Sequence, residues 1–121
     1  MKVLMIRNYP NVPVCAGMLL AGAALFSLVS FGATKPGDAA KGKATFSSNC
    51  DVCHNAESTD AKVGPGLKGL FQKTTLNNKK KVTDANVLDL IVKGSPSGMP
   101  PFEDSLSDQE RADLLAYLKT L

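Results

Sequence analysis

Histidine occurs once in this sequence, at His54, and cysteine three times, so any metal site must be assembled from very few ligands. Tryptophan is missing altogether and no segment shows the strict apolar–polar alternation of a half-buried strand, which argues against a sheet. A formal charge of +3 over 121 residues is too small to point to nucleic acid. That length allows one small domain and at most an appendage.

The appendage is at the N-terminus. "MKVLMIRNYPNVPVCAGMLLAGAALFSLVSFGATKPGD" places Lys2 and Arg7 ahead of a nearly unbroken apolar run from Val12 to Phe31. A positive front and an apolar middle are the marks of an export signal. Ser30 and Gly32 offer small residues for cleavage before Ala33. The competing reading is an uncleaved anchor, because a run of about 20 apolar residues also spans a bilayer. Residues 1–32 are thus signal peptide or anchor, residues 33–121 form the domain, and either way that domain is exported, periplasmic and at most tethered to the outer face of the cytoplasmic membrane. Cys15 is apolar filler: "VPVC" has no small residue before the cysteine, and the apolar run follows it.

Residues 33–121 carry 12 basic and 11 acidic side chains, unevenly: 9 against 4 up to Val82, then 3 against 7. Three helices are readable. Ser107 with Glu110 forms a capping box, after which Leu114, Tyr117, Leu118 and Leu121 recur on one stripe. A middle helix begins near Thr83 or Asp84, presents Val87, Leu88, Ile91 and Val92, and stops at Gly94. The first follows Asp38, with Ala39, Gly42 and Phe46 on one side. The fold class is all-α. Asn55 to Val82 holds only a brief helical hint at Leu67 to Gln72, and "GSPSGMPPFEDS" holds none. Such long loops and so thin an apolar content need something more to complete the core.

"NCDVCHN" supplies the chemistry, with Cys50, Cys53 and His54 in one short span. A thioredoxin-like dithiol expects C-x-x-C beside a βαβ unit, and no strand is readable here. Structural zinc takes four ligands, usually as two separated pairs, and the exported domain has no second pair. C-x-x-C-H is the signature of covalent haem attachment, in which each sulfur adds across a vinyl group and the adjacent histidine becomes the proximal iron ligand. Export fits, since this attachment is normally completed outside the cytoplasm.

With "GKATF" before the motif, "GPGL" after it, "GMPPF" later and "LLAYL" near the end, residues 37–121 resemble a small bacterial monohaem cytochrome c of the His/Met type. The resemblance implies three main helices and loops wrapped around one haem c per chain. It implies thioethers at Cys50 and Cys53, and His54 as the proximal ligand with Pro65 accepting its Nδ1–H through the main chain. Gly42 and Phe46 would then meet Leu114 and Tyr117 where the first and last helices cross. Met99 would be the distal ligand. It is the only methionine after residue 32, and since His54 is the only histidine, bis-histidine ligation is impossible within this chain.

A haem held on both axial sides leaves no site for substrate, so the implied function is one-electron transfer and not catalysis. The implied partners are redox proteins whose acidic faces dock on Lys62, Lys68, Lys73 and Lys79 to Lys81. The membrane is a partner only if the N-terminal segment stays uncleaved. Two rivals are an electron-entry subunit of a larger oxidoreductase, and a haem enzyme or gas sensor with an open distal site.

Overall fold

The computed structural model describes residues 35–121; the expectations for the export segment and its cleavage point lie outside them. Three α-helices, α1 (Ala39–Asn49), α2 (Asp84–Lys93) and α3 (Asp108–Leu118), are joined by long loops with one short 3-10 turn at Leu70–Gln72. Among the described residues there is no strand beyond one isolated antiparallel bridge, Thr75 with Lys81. None of their helices is long and apolar enough to cross a membrane.

Each helix starts where a side chain satisfies its free amides. Asp38 accepts from the N–H groups of Ala40 and Lys41 at 2.9 and 3.2 Å. Thr83 accepts from Asn86 N–H at 3.2 Å, and α2 also carries Asp84 in its first turn and Lys93 in its last, both favourable to the helix dipole. Ser107 and Glu110 complete the capping box: Glu110 N–H donates to Ser107 Oγ at 3.3 Å, and Ser107 N–H to Glu110 Oε2 at 2.8 Å.

The α1–α3 crossing organises the molecule. Gly42 is buried against α3, where a Cβ would lie 1.9 Å from the Asp113 carbonyl oxygen and 2.8 Å from Tyr117 Cβ, so only glycine allows this approach. One turn on, Phe46 meets Tyr117 with ring centroids 5.5 Å apart and tilted 59°. Leu114 is the most deeply buried large side chain. Leu115 is buried as well, so α3 is covered more widely than its one apolar stripe foretells.

Asp113 adds a polar clamp to this crossing. Its buried carboxylate accepts from Asp38 N–H at 2.8 Å and from Gln109 Nε2 at 3.0 Å. The Gln109 amide also pairs with the main chain of Lys35, accepting its N–H at 2.8 Å and donating to its carbonyl at 3.2 Å. These bonds draw the Asp113 carboxyl below its ordinary range, the Asp38 amide first and Gln109 next.

α2 buries Val87 and Ile91, with Leu88 and Val92 half-covered. The long segment before it is not shapeless. Val82 N–H bonds Thr74 O at 3.1 Å and Leu76 N–H bonds Lys80 O at 2.8 Å, closing a small hairpin pinned by buried Leu76.

Candidate functional site

The end of α1 becomes the attachment turn. Cys50 is the α1 C-cap, with its N–H on Phe46 O. Its own carbonyl accepts from both Cys53 N–H and His54 N–H, at 3.0 and 2.9 Å, so one turn of chain fixes both thiols and the imidazole together. Both cysteines are free and half-buried. Burial, with the neighbouring Cys53 second, pushes the Cys50 thiol up to about 11, which keeps it as S–H near neutral pH.

A second segment is tied to this turn. Gly64 N–H donates to Cys53 O at 2.8 Å, and Leu67 N–H to Asn55 O at 2.7 Å. The His54 Nδ1 lies 2.8 Å from the Pro65 carbonyl oxygen. A carbonyl only accepts, so Nδ1 carries a proton, and in the neutral ring the lone pair is on Nε2. Gly64 provides the space for the ring: a Cβ there would fall 2.5 Å from Cε1, 2.9 Å from Nδ1 and 3.0 Å from Nε2 of His54. That constraint was missed in the sequence, where the glycine before "PGL" is its one visible sign.

Met99 is half-buried and packs against the hydrophobic core from the Gly94–Phe102 loop. The loop is anchored on the last turn of α2, since Phe102 N–H donates to Ile91 O at 3.0 Å and Val92 O at 3.2 Å. Met99 O in turn accepts from Ser95 N–H at 2.9 Å.

The lysines separate into two groups. Lys62 donates to Asp51 O at 2.8 Å and lies 3.5 Å from its carboxylate, and Lys80 pairs with Asp89 at 3.0 Å. Lys73 reaches toward Gly66 O at 3.5 Å. Lys68, Lys79 and Lys81 are exposed and form no ion pair among the described residues.

An open groove of about 830 Å³ lies elsewhere, lined by Gly37, Leu88, Val92, Ala112 and Leu115 and by the Asp84–Lys119 pair. It contains none of the candidate site residues. No cluster of three or more His, Cys, Asp or Glu suited to a metal ion occurs among the described residues.

Residues 37–118 match the family described as cytochrome c oxidase, cbb3-type, subunit III. A protein of Synechocystis sp. named cytochrome c-553-like is 36% identical over 110 residues, covering 86% of this chain and 94% of that protein. The chain belongs to the cytochrome c family. Cytochrome c2 of Rhodopila globiformis is 31% identical over 108 residues, covering 74% of this chain and 99% of that one. Among solved structures, cytochrome c6 of the diatom Phaeodactylum tricornutum superposes with a TM-score of 0.56 at 27% identity, over 69% of this chain and 93% of that one. The three-helix, strandless fold is therefore the cytochrome c fold. The chain is a small monohaem c-type cytochrome that carries covalent haem c and transfers electrons, and it is not an enzyme. The donor set fits that group: two free thiols at the required spacing, and an imidazole whose Nε2 is left free by the Pro65 bond.

Proposed function

We propose that this cytochrome shuttles single electrons between redox proteins outside the cytoplasm, with Cys50 and Cys53 as thioether anchors and His54 and Met99 as axial ligands. The haem supplies the Fe(III)/Fe(II) couple; the chain supplies its position and its electronic tuning. The observation that carries the reading is the 2.8 Å contact of His54 Nδ1 with Pro65 O, which orients the ring and raises the basicity of Nε2. A thioether opposite that nitrogen favours Fe(II) and raises the potential over bis-histidine ligation.

Met99→Ala tests the distal assignment. The variant is expected to keep its covalent haem while becoming high-spin with a lowered midpoint potential. An unchanged low-spin spectrum and potential would remove Met99 from the site.

Partner docking is proposed on the edge next to the attachment turn. Val52 and Val63 are 78% and 85% exposed there. Of the six lysines, Lys68, Lys79 and Lys81 have neither an ion pair nor a side-chain hydrogen bond among the described residues and are proposed to steer an acidic partner. Lys62 and Lys80 are already compensated by Asp51 and Asp89 and contribute less. Replacing the three free lysines with glutamine should lower the association rate at low ionic strength and flatten its salt dependence. An unaltered salt profile would place docking elsewhere.

A second reading rests on two of the family matches. The matched family is described as an oxidase subunit. A nicotinate dehydrogenase polypeptide of Pseudomonas putida is 34% identical over 86 residues, which amount to only 7% of that protein. Subunits named for an oxidase and a dehydrogenase thus carry a stretch similar to this chain, which fits an electron-entry subunit. Size-exclusion of native extract separates the readings: a free carrier elutes alone, a subunit with its complex. N-terminal sequencing distinguishes a signal cleaved before Ala33 from an anchor retained over residues 1–32.

A further inference from the structure

The C-cap of α2 sits directly beneath the backbone of the methionine loop. Gly94 closes the helix with its N–H on Leu90 O at 2.8 Å and adopts φ 70°, ψ −165°. A Cβ at this position would lie 2.4 Å from Met99 O, 2.8 Å from Pro100 C and 2.9 Å from Pro101 N. All three are main-chain atoms, so no flexible side-chain end can yield. Neither can the loop slide. Ser95 N–H holds Met99 O at 2.9 Å, Gly98 N–H holds Ser95 O at 3.1 Å, and Phe102 N–H is fixed to Ile91 O at 3.0 Å. Pro100 and Pro101 have φ locked by their rings.

We propose that Gly94 is a positioning residue for Met99: the missing side chain at the end of α2 lets the Met99–Pro101 backbone settle on the helix terminus, and this fixes where the methionine sulfur reaches. The proposal rests on the reading of Met99 as distal ligand. Any side chain at residue 94 must push the Met99 carbonyl away by about 1 Å to restore ordinary contact, in a loop with no slack to absorb it. A thioether is a weak iron ligand, so the strained loop relaxes by releasing the sulfur.

The molecule contains its own control. Gly69 has the same φ of 70°, but a Cβ there would meet only the side-chain amide of Gln72, at 2.7 Å. Gly69→Ala therefore carries only a left-handed backbone penalty, whereas Gly94→Ala, at ψ −165° in backbone space that glycine alone favours, carries a larger one and also collides with the Met99 loop. Gly94→Asn is a third variant that repeats the same Cβ collision with a different side chain.

The experiment compares the haem-loaded wild type with these three variants by the long-wavelength methionine-to-ferric-iron band, the rate of carbon monoxide binding to the ferrous form, and the denaturation midpoint. Gly94→Ala and Gly94→Asn should lose the band and bind carbon monoxide about tenfold faster or more. Gly69→Ala should lose stability and keep both wild-type signatures. The proposal is overturned if either Gly94 variant keeps the band and the slow carbon monoxide reaction, or if Gly69→Ala loses them equally. A wild type without the band overturns the ligation by Met99 itself, a different failure that is visible before any variant is made.

Discussion

Gly64→Ala is the sharpest probe of the proposed tuning of His54 as proximal ligand. The added Cβ would start 2.5 Å from His54 Cε1. Restoring an ordinary contact displaces the ring by about 1 Å, which stretches the 2.8 Å bond from Nδ1 to Pro65 O past hydrogen-bond range. A neutral bond of this kind contributes about 1 kcal/mol. Only the part that differs between the two iron oxidation states moves the potential. Donation by Nδ1–H pushes electron density toward Nε2 and favours Fe(III), so losing it raises the midpoint. At 59 mV per factor of ten for one electron, a difference of about 0.5–1 kcal/mol corresponds to a rise of about 20–40 mV. Spectroelectrochemical titration of the loaded protein reads this directly. Gly66→Ala is the matched control, because its Cβ would strike first the main chain of the same loop, at Ser58 O (2.4 Å), Thr59 C (2.4 Å) and Asp60 O (2.7 Å), and not the His54 ring. An unchanged or lowered midpoint in Gly64→Ala, or an equal shift in Gly66→Ala, would refute the reasoning.

Three other outcomes are expected. Gly42→Ala forces α1 from α3, where the new Cβ would overlap Asp113 O at 1.9 Å, and should cost about 2 kcal/mol or more in guanidinium unfolding; a midpoint equal to wild type contradicts the crossing. Asp113 has a folded-state pKa below its ordinary 3.8, so its stabilisation is present above that pH and lost as pH falls below it. Asp113→Asn should therefore show a shallower acid limb than wild type, and parallel curves would remove Asp113 from acid unfolding. Cys50→Ala combined with Cys53→Ala should leave haem extractable into acidified organic solvent and the apo-chain largely unfolded by circular dichroism, whereas full helical content would show that the three helices need no covalent haem.

The helix ends were legible because caps are local. Asp38, Thr83, Ser107 with Glu110, and Gly94 each act within a few residues, and each sits where the sequence places it. The Gly42–Phe46 contact with Tyr117 was legible through the family resemblance, since nothing local says which helix a glycine will face. The same holds for Pro65, whose carbonyl meets a ring 11 residues away. Long-range polar work was not legible. Asp113 reads as one more charged helix residue, yet it is buried under Asp38 and Gln109. The Lys79–Lys81 run reads as docking charge, and only the structure shows that it turns a hairpin in which Lys79 takes φ 66° and Lys80 is engaged by Asp89. Gly64 and Gly94 look like turn punctuation, and only the fold reveals what a side chain there would strike.

The central claim is that His54 and Met99 together hold the iron. Exposing the reduced, haem-loaded wild type to carbon monoxide, with the ferric spectrum recorded alongside, tests it most directly. The expected result is a ferric methionine-to-iron band and a ferrous form that resists carbon monoxide. Rapid carbon monoxide binding by the native protein, with the ferric band missing, would contradict it.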